Sequence, residues 1–183
     1  MTYTIDIKGM KRDLPLCPLT DKLMIGAFVI FGDVELTVHC AKELLKIVPD
    51  FDIMITAESK GIPLIHEMAK QSGKNTYLLA RKSPKLYMRD IISCEVNSIT
   101  TARKQTLYLD GEAAKAMVGK RVLIIDDVIS TGESLRALET LVERVGGNIC
   151  GRAAILAEGE AKDRTDINYL AYLPLFDTEG NPL

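Results

Sequence analysis

Apolar runs too short to be helices alternate along this chain with longer stretches whose apolar residues recur at helical spacing. Residues 52–57, 76–80, 121–125, 148–157 and 169–173 are the short runs, and 121–125 is apolar on both faces. Between them, 34–48, 61–71, 111–117 and 133–145 read as helices. Asp33 can cap the first and Pro49 stops it, Pro63 is tolerated in the first turn of the second, and Gly146 and Gly147 suit a left-handed end to the fourth. Strands buried on both faces and separated by helices predict βαβ units, hence an α/β single domain with a central parallel β-sheet flanked by helices. Residues 91–96 and 106–109 read as a hairpin around the polar stretch 97–105. The two ends fit the alternation less well and are expected to pack together as a small hood, about 1–33 and 158–183, on a core of about 34–157.

The 183 residues are enough for one such domain with its own core. Lys plus Arg is 23 and Asp plus Glu 25, a net charge of -2, which argues against a protein that holds nucleic acid by bulk positive charge. Aromatic residues are 5% with no Trp, so a broad stacking platform is not expected. No apolar run approaches the roughly 18 residues of a membrane span, and Asp6, Lys8, Lys11 and Arg12 leave residues 1–12 without the apolar stretch of an export signal. Cys17, Cys40, Cys94 and Cys150 are widely spaced, with no C-x-x-C pair; reduced thiols in a cytoplasmic protein are the simplest reading. His39 and His66 fall in helical patterns and are expected to be partly buried structural residues.

Chemistry concentrates in 121–134, R-V-L-I-I-D-D-V-I-S-T-G-E-S. A central strand ends in Asp126 and Asp127, at the carboxyl edge where open α/β sheets bind ligands. A turn with one solvated and one capping acid is the plain alternative. Ser130, Thr131, Gly132, Glu133 and Ser134 then open a helix. There, free backbone N–H groups and hydroxyls make a phosphate cradle, while an ordinary N-cap by Ser130 or Thr131 is the alternative. Acids that accept hydroxyls beside a phosphate cradle describe a site for a ribose 5-phosphate.

This segment resembles the phosphoribosyl-pyrophosphate signature of the type I phosphoribosyltransferases: four apolar residues, two acids, two apolar residues, a small residue, then Thr-Gly. The nucleotide-binding pattern G-x-x-x-x-G-K-[ST] is absent. The resemblance covers most of 52–158 and is specific at 122–134. It implies that Asp126 and Asp127 meet the ribose hydroxyls and that Ser130, Thr131, Gly132, Glu133 and Ser134 hold the 5-phosphate. Upstream, E-S-K-G at 58–61 resembles the pyrophosphate loop of the adenine-type branch, which implies diphosphate contacts from Ser59, Lys60 and Gly61 and a structural role for Glu58. The stretch R-K-S-P-K-L at 81–86 resembles an adenine-branch basic loop, with Pro84 in place of the usual Gly and Tyr87 in place of the usual Pro. It implies Arg81, Lys82 and Lys85 at the diphosphate, with Lys85 also a catalytic candidate; a solvated basic edge is the alternative.

Residues 97–105 stand where the family carries a closing lid, which implies that Thr100, Thr101, Arg103 and Lys104 reach the diphosphate. The stretch lacks the Tyr-Glu pair of adenine enzymes and is closer to xanthine-type or regulator-type lids. Phe31 fits the base-stacking aromatic of the hood, with a core Phe as its alternative, and Leu156 to Glu158 follow a strand where the family places a second wall of the base pocket. Ser130 stands where hypoxanthine–guanine enzymes usually carry an Asp, which favours the adenine/xanthine branch.

The implied reaction moves the 5-phosphoribosyl group from phosphoribosyl pyrophosphate to a purine, adenine first and xanthine next. Mg2+ would be held mainly by the substrate near Asp126 and Asp127. Expected partners are those substrates and a second copy in a homodimer, with neither nucleic acid nor membrane. A regulator that binds phosphoribosyl pyrophosphate without transfer is the alternative, and a pyrimidine-type transferase a third reading. Regulators of that kind usually add a nucleic-acid-binding domain, and no basic helix-turn-helix pattern is present.

Overall fold

The computed structural model describes residues 1–96 and 105–183. A five-stranded parallel sheet forms its centre, built from β4 (Ile53–Ala57), β5 (Leu78–Ala80), β8 (Arg121–Ile129), β9 (Asn148–Glu158) and β10 (Asn168–Leu173), in the order β10-β9-β8-β4-β5. Helices α1 (Val34–Leu45) and α2 (Ile62–Gln71) cover one face, and α3 (Gly111–Met117) and α4 (Glu133–Arg144) the other. Successive residues of β8 alternate between the two cores: Val122 and Ile124 join α3 and α4, while Leu123 and Ile125 join α1 and α2. All four are fully buried, each worth about 1.5–3 kcal/mol of transfer free energy. That is why this run can only be a central strand.

A second, four-stranded antiparallel sheet joins the chain ends in the order β1-β2-β3-β11, from β1 (Thr2–Ile7), β2 (Met10–Thr20), β3 (Leu23–Gly26) and β11 (Leu175–Phe176). Lys8 and Gly9 turn β1 into β2 with positive φ at both positions, the geometry that matches strand twist in a two-residue hairpin. The sheet is tied to α1 by polar contacts. Arg12 reaches Asp33 (2.6 Å) and Glu35 (2.8 Å), and the His39 ring Nε2 pairs with the Ile7 carbonyl at 2.9 Å. β6 (Ile92–Val96) and β7 (Gln105–Leu109) form the expected hairpin.

Local departures from the sequence reading have physical causes. The central strand does not stop at Ile125; it continues through both acids because β9 keeps pairing with it as far as Ile129↔Ala157. β5 begins at Leu78, two residues late. Only Gly146 takes the left-handed conformation (φ +80); Gly147 is small because a Cβ there would stand 2.8 Å from Val142 Cγ1. His66 is exposed rather than partly buried, edge-on to Tyr77. All four cysteines are free, and no described helix is long and apolar enough to cross a membrane.

Candidate active site

The strand order places the site. From β4 the chain turns to β5 on one side, whereas β8, β9 and β10 build outward on the other, so the order reverses between β4 and β8. The pairing of β4 with β8 ends at Ile55↔Ile124, after which β4 continues with β5 and β8 with β9. The sheet therefore splits at its carboxyl edge, with Asp126 and Asp127 on one side of the split and the loop from Glu58 to Gly61 on the other.

The two sides touch. Lys60 Nζ stands 2.9 Å from Asp127 Oδ2, and Asp127 is buried at 4% exposure. The contact is an ion pair without hydrogen-bond alignment, so this buried oxygen keeps an acceptor position for a ligand hydroxyl or a cation. Asp126 Oδ1 accepts the Asp127 backbone N–H at 2.9 Å. Burial, and then the charge of Asp127, push the Asp126 carboxyl up to about 8. Gly61 is required by space. Its φ of -69 suits any residue, but a Cβ would lie 2.3 Å from Thr56 Oγ1 and 3.6 Å from Asp126 Cα. The Glu58–Ser59 peptide is cis. Glu58 is a brace: its carboxylate accepts the Lys82 N–H (2.8 Å) and pairs with Arg81 Nε (3.1 Å).

The ordinary side-chain cap is not made at the start of α4. Its N-cap is Gly132, in the left-handed region at φ +78, and no side chain caps the helix. Ser130 and Thr131 are exposed instead of folding back on the helix. The first N–H groups of α4 thus face outward, with the positive end of the helix dipole behind them.

Three adjoining cavities run along this edge. The first, about 220 Å³, is lined by Ser59, Lys60, Lys82, Asp126, Asp127 and Ser134 among others. The second, about 250 Å³, is walled by Asp126 and the loop Ser130 to Ser134. The third, about 370 Å³, shares Ser130 and Thr131 with the second and extends to Glu158, Glu160, Arg164 and Leu175.

The structure thus gathers Ser59, Lys60, Lys82, both acids and the five loop residues. Gly61 is buried behind its loop. Arg81 is held by Glu58, and Lys85 Nζ donates to Ser83 Oγ (2.9 Å); neither lines these cavities. Phe31 is 49% exposed ahead of α1, not a core residue, and it too is outside the three linings. Leu156 is fully buried among the residues packed under α1 and α2; Glu158, two positions on, reaches the third cavity. Arg103 lies outside the described residues, as do Thr100, Thr101 and Lys104. Glu160 and Arg164 escaped the sequence reading because their polar stretch carries no motif, and Leu175 because it lies in the short apolar strand β11. Among the described residues no three His, Cys, Asp or Glu side chains group as a metal site.

Comparison with known proteins agrees with this geometry. The profile of the phosphoribosyl transferase domain matches residues 38–177. An adenine phosphoribosyltransferase of Cenarchaeum symbiosum is 32% identical over 158 residues, 83% of this chain and 87% of that protein. A hypoxanthine/guanine phosphoribosyltransferase of Methanothermococcus okinawensis is 32% identical over 130 residues, 70% of this chain and 67% of that one. In fold, the crystal structure of adenine phosphoribosyltransferase from Thermoanaerobacter pseudethanolicus superposes with a TM-score of 0.71 at 21% identity, covering 87% of this chain and 95% of that one. The match to the domain spans the split sheet edge, both loops and the third cavity, and this chain belongs to the phosphoribosyl transferase family.

Proposed function

We propose that the chain is a cytoplasmic purine phosphoribosyltransferase, moving the 5-phosphoribosyl group of phosphoribosyl pyrophosphate to a purine ring nitrogen, adenine first and xanthine next. The observation that carries the reading is the split sheet edge. It sets an uncapped helix N-terminus and an acid pair against a lysine-bearing loop across one cleft. In the reaction the bond from the anomeric carbon to diphosphate breaks, the electron pair leaves with diphosphate, and the base nitrogen forms the new bond. The chain's own residues position and neutralise. Ser130 to Ser134 hold the 5-phosphate, and Asp126 and Asp127 accept from the ribose hydroxyls. Lys60 and Lys82 face the diphosphate as its charge grows.

Mg2+ fits this arrangement as the substrate's ion. Among the described residues no cluster would hold it alone, and the Asp127 oxygen keeps an acceptor position beside the diphosphate loop. When bound, it would spread the charge of the leaving group.

Adenine is favoured by the names of several relatives and by Ser130, which offers no carboxylate to a purine ring proton. Buried, free Cys40 and Cys94 suit a reducing compartment. Leu86 and Tyr87, both exposed beside Lys85, suit packing against a second copy in a homodimer.

The test offers adenine, hypoxanthine, guanine, xanthine and orotate in turn with phosphoribosyl pyrophosphate and Mg2+, and follows diphosphate release. Adenine is expected to turn over fastest. Asp126→Asn combined with Asp127→Asn should abolish turnover with the fold retained. Absence of diphosphate release with every one of these bases would overturn the enzyme reading in favour of a binding protein.

A further inference from the structure

The proposed 5-phosphate loop contains no basic residue. Residues 130–134 are Ser-Thr-Gly-Glu-Ser, and among the described residues the charged side chains lining the second cavity are Asp126 and Glu133. A phosphate dianion there would meet backbone N–H groups and the hydroxyls of Ser130, Thr131 and Ser134. The third cavity, which shares Ser130 and Thr131 with it, has one cation in its lining among the described residues, Arg164.

Arg164 is fixed in a particular way. Its Nε donates to Asp166 Oδ1 (2.9 Å) and its Nη2 to Asp166 Oδ2 (2.7 Å), a bidentate fork that sets the plane of the guanidinium. Asp166 is in turn 3.8 Å from Arg152 Nε, and Arg152 pairs with Glu139 on α4, the helix that the loop opens. Fork and loop are therefore anchored to one element. The remaining nitrogen, Nη1, takes no part in the fork. It stands 2.7 Å from where a Cβ on Gly132 would be, against the N-cap of α4. Gly132 is thus required twice, once for its positive φ and once to let the guanidinium approach the loop.

We propose that Arg164 is a further phosphate-binding residue of this site, with Asp166 as its positioning residue: the clamped guanidinium turns Nη1 toward the mouth of the Ser130–Ser134 loop and brings a fixed positive charge beside it. The inference rests on the reading of the loop as the 5-phosphate site, and two ligands separate the two claims. Ribose 5-phosphate carries the phosphate and no diphosphate; inorganic diphosphate addresses the Lys60 loop alone.

Binding of each is measured by titration calorimetry on wild type, Arg164→Met, Arg164→Lys and Asp166→Asn. Wild type is expected to bind both. Arg164→Met should weaken ribose 5-phosphate by roughly ten- to a hundredfold, the weight of one charge-assisted hydrogen bond, and leave diphosphate unchanged. Arg164→Lys should recover part of the loss, and Asp166→Asn should lose several-fold because the guanidinium is freed but kept. Unaltered ribose 5-phosphate affinity in Arg164→Met overturns the proposal, and so does an equal loss of both ligands, which would mean general damage to the edge. If Arg164→Met does not fold, Asp166→Asn decides by the same comparison. Failure of wild type itself to bind ribose 5-phosphate would remove the loop reading and this inference with it.

Discussion

Replacing Gly61 by Ala tests whether the two sides of the cleft are held as closely as described. The backbone at Gly61 has φ -69, so alanine meets no conformational penalty there and any effect must come from space. A Cβ would lie 2.3 Å from Thr56 Oγ1, where ordinary contact begins near 3.4 Å, so something must yield by about 1 Å. Thr56 is fully buried in β4 and β-branched, with little freedom about χ1. The Glu58–Gly61 loop is therefore the part that moves, away from Thr56. Overpacking of this size costs about 1–3 kcal/mol, and a 1 Å displacement of a substrate-positioning group can cost about a hundredfold in kcat/KM.

The same geometry gives the rescue. With Thr56→Ala the hydroxyl and methyl are gone, and the new Cβ of Gly61→Ala meets the Cβ of residue 56 at 3.4 Å, an ordinary contact. Urea unfolding and steady-state kinetics on the two single variants and the double variant complete a cycle. The double variant should be more stable than the sum of the singles by about 1–2 kcal/mol and should recover most of kcat/KM. A Gly61→Ala protein with unaltered midpoint and KM, or strictly additive effects, would refute the close approach.

Three other perturbations bear on separate links. Lys60→Ala removes the ion-pair partner of a nearly buried carboxylate. Because Lys60 is itself 44% exposed, the stability loss should be about 1–2 kcal/mol, below the cost at a fully buried pair, whereas diphosphate product inhibition should weaken by tenfold or more. Unaltered inhibition would detach this loop from the diphosphate. The Asp126 carboxyl, raised by burial and by Asp127 to about 8, favours its protonated form in the fold. Its contribution to stability is full below about pH 4 and is lost as pH rises through 8, so wild type should lose more denaturation midpoint between pH 5 and 8 than Asp126→Asn; equal slopes would contradict the shift. Asp33 accepts the Leu36 N–H at 3.0 Å and pairs with Arg12, which holds its carboxyl below the usual range. Asp33→Ala should cost about 1–2 kcal/mol in urea unfolding, and Asp33→Asn, which keeps the cap, about half; equal losses would place the whole effect in the ion pair.

The parallel core was legible because burial on both faces leaves a coarse mark: 52–57 and 121–125 are apolar at nearly every position, and 34–48 carries its cap and its stop. The hood was not. β2 reads M-K-R-D-L-P-L-C-P-L-T, and two prolines argue against a strand. Pro15 stands opposite Thr2 at the outer end of β1, and Pro18 sits at a register shift, two places where a missing N–H does little harm. Lys85 and Arg81 show what a local pattern leaves out. A cluster of cations is visible in sequence, but Glu58 claims Arg81 and Ser83 takes Lys85, and local pattern carries nothing about which partner is nearer.

What sequence could not supply for the site was adjacency. Each loop was readable alone: 58–61 as a turn with a lysine after a strand, and 130–134 as a cradle after an acid pair. About 70 residues separate them, and the order β10-β9-β8-β4-β5 brings them together by skipping three strands of the chain. That order is set by which strands can be buried on both faces. β4 and β8, apolar throughout their paired lengths, take the centre. The reversal of direction then falls between them, and the acids that interrupt the apolar run of β8 fall just past the last β4 pair. Polar residues there are tolerated because the sheet has opened, and the opening gives them a ligand to face. The site is thus a consequence of the hydrophobic pattern. Moving the acid pair two residues earlier would put it opposite Ile55, between two packed layers, where a carboxylate has no partner and no substrate.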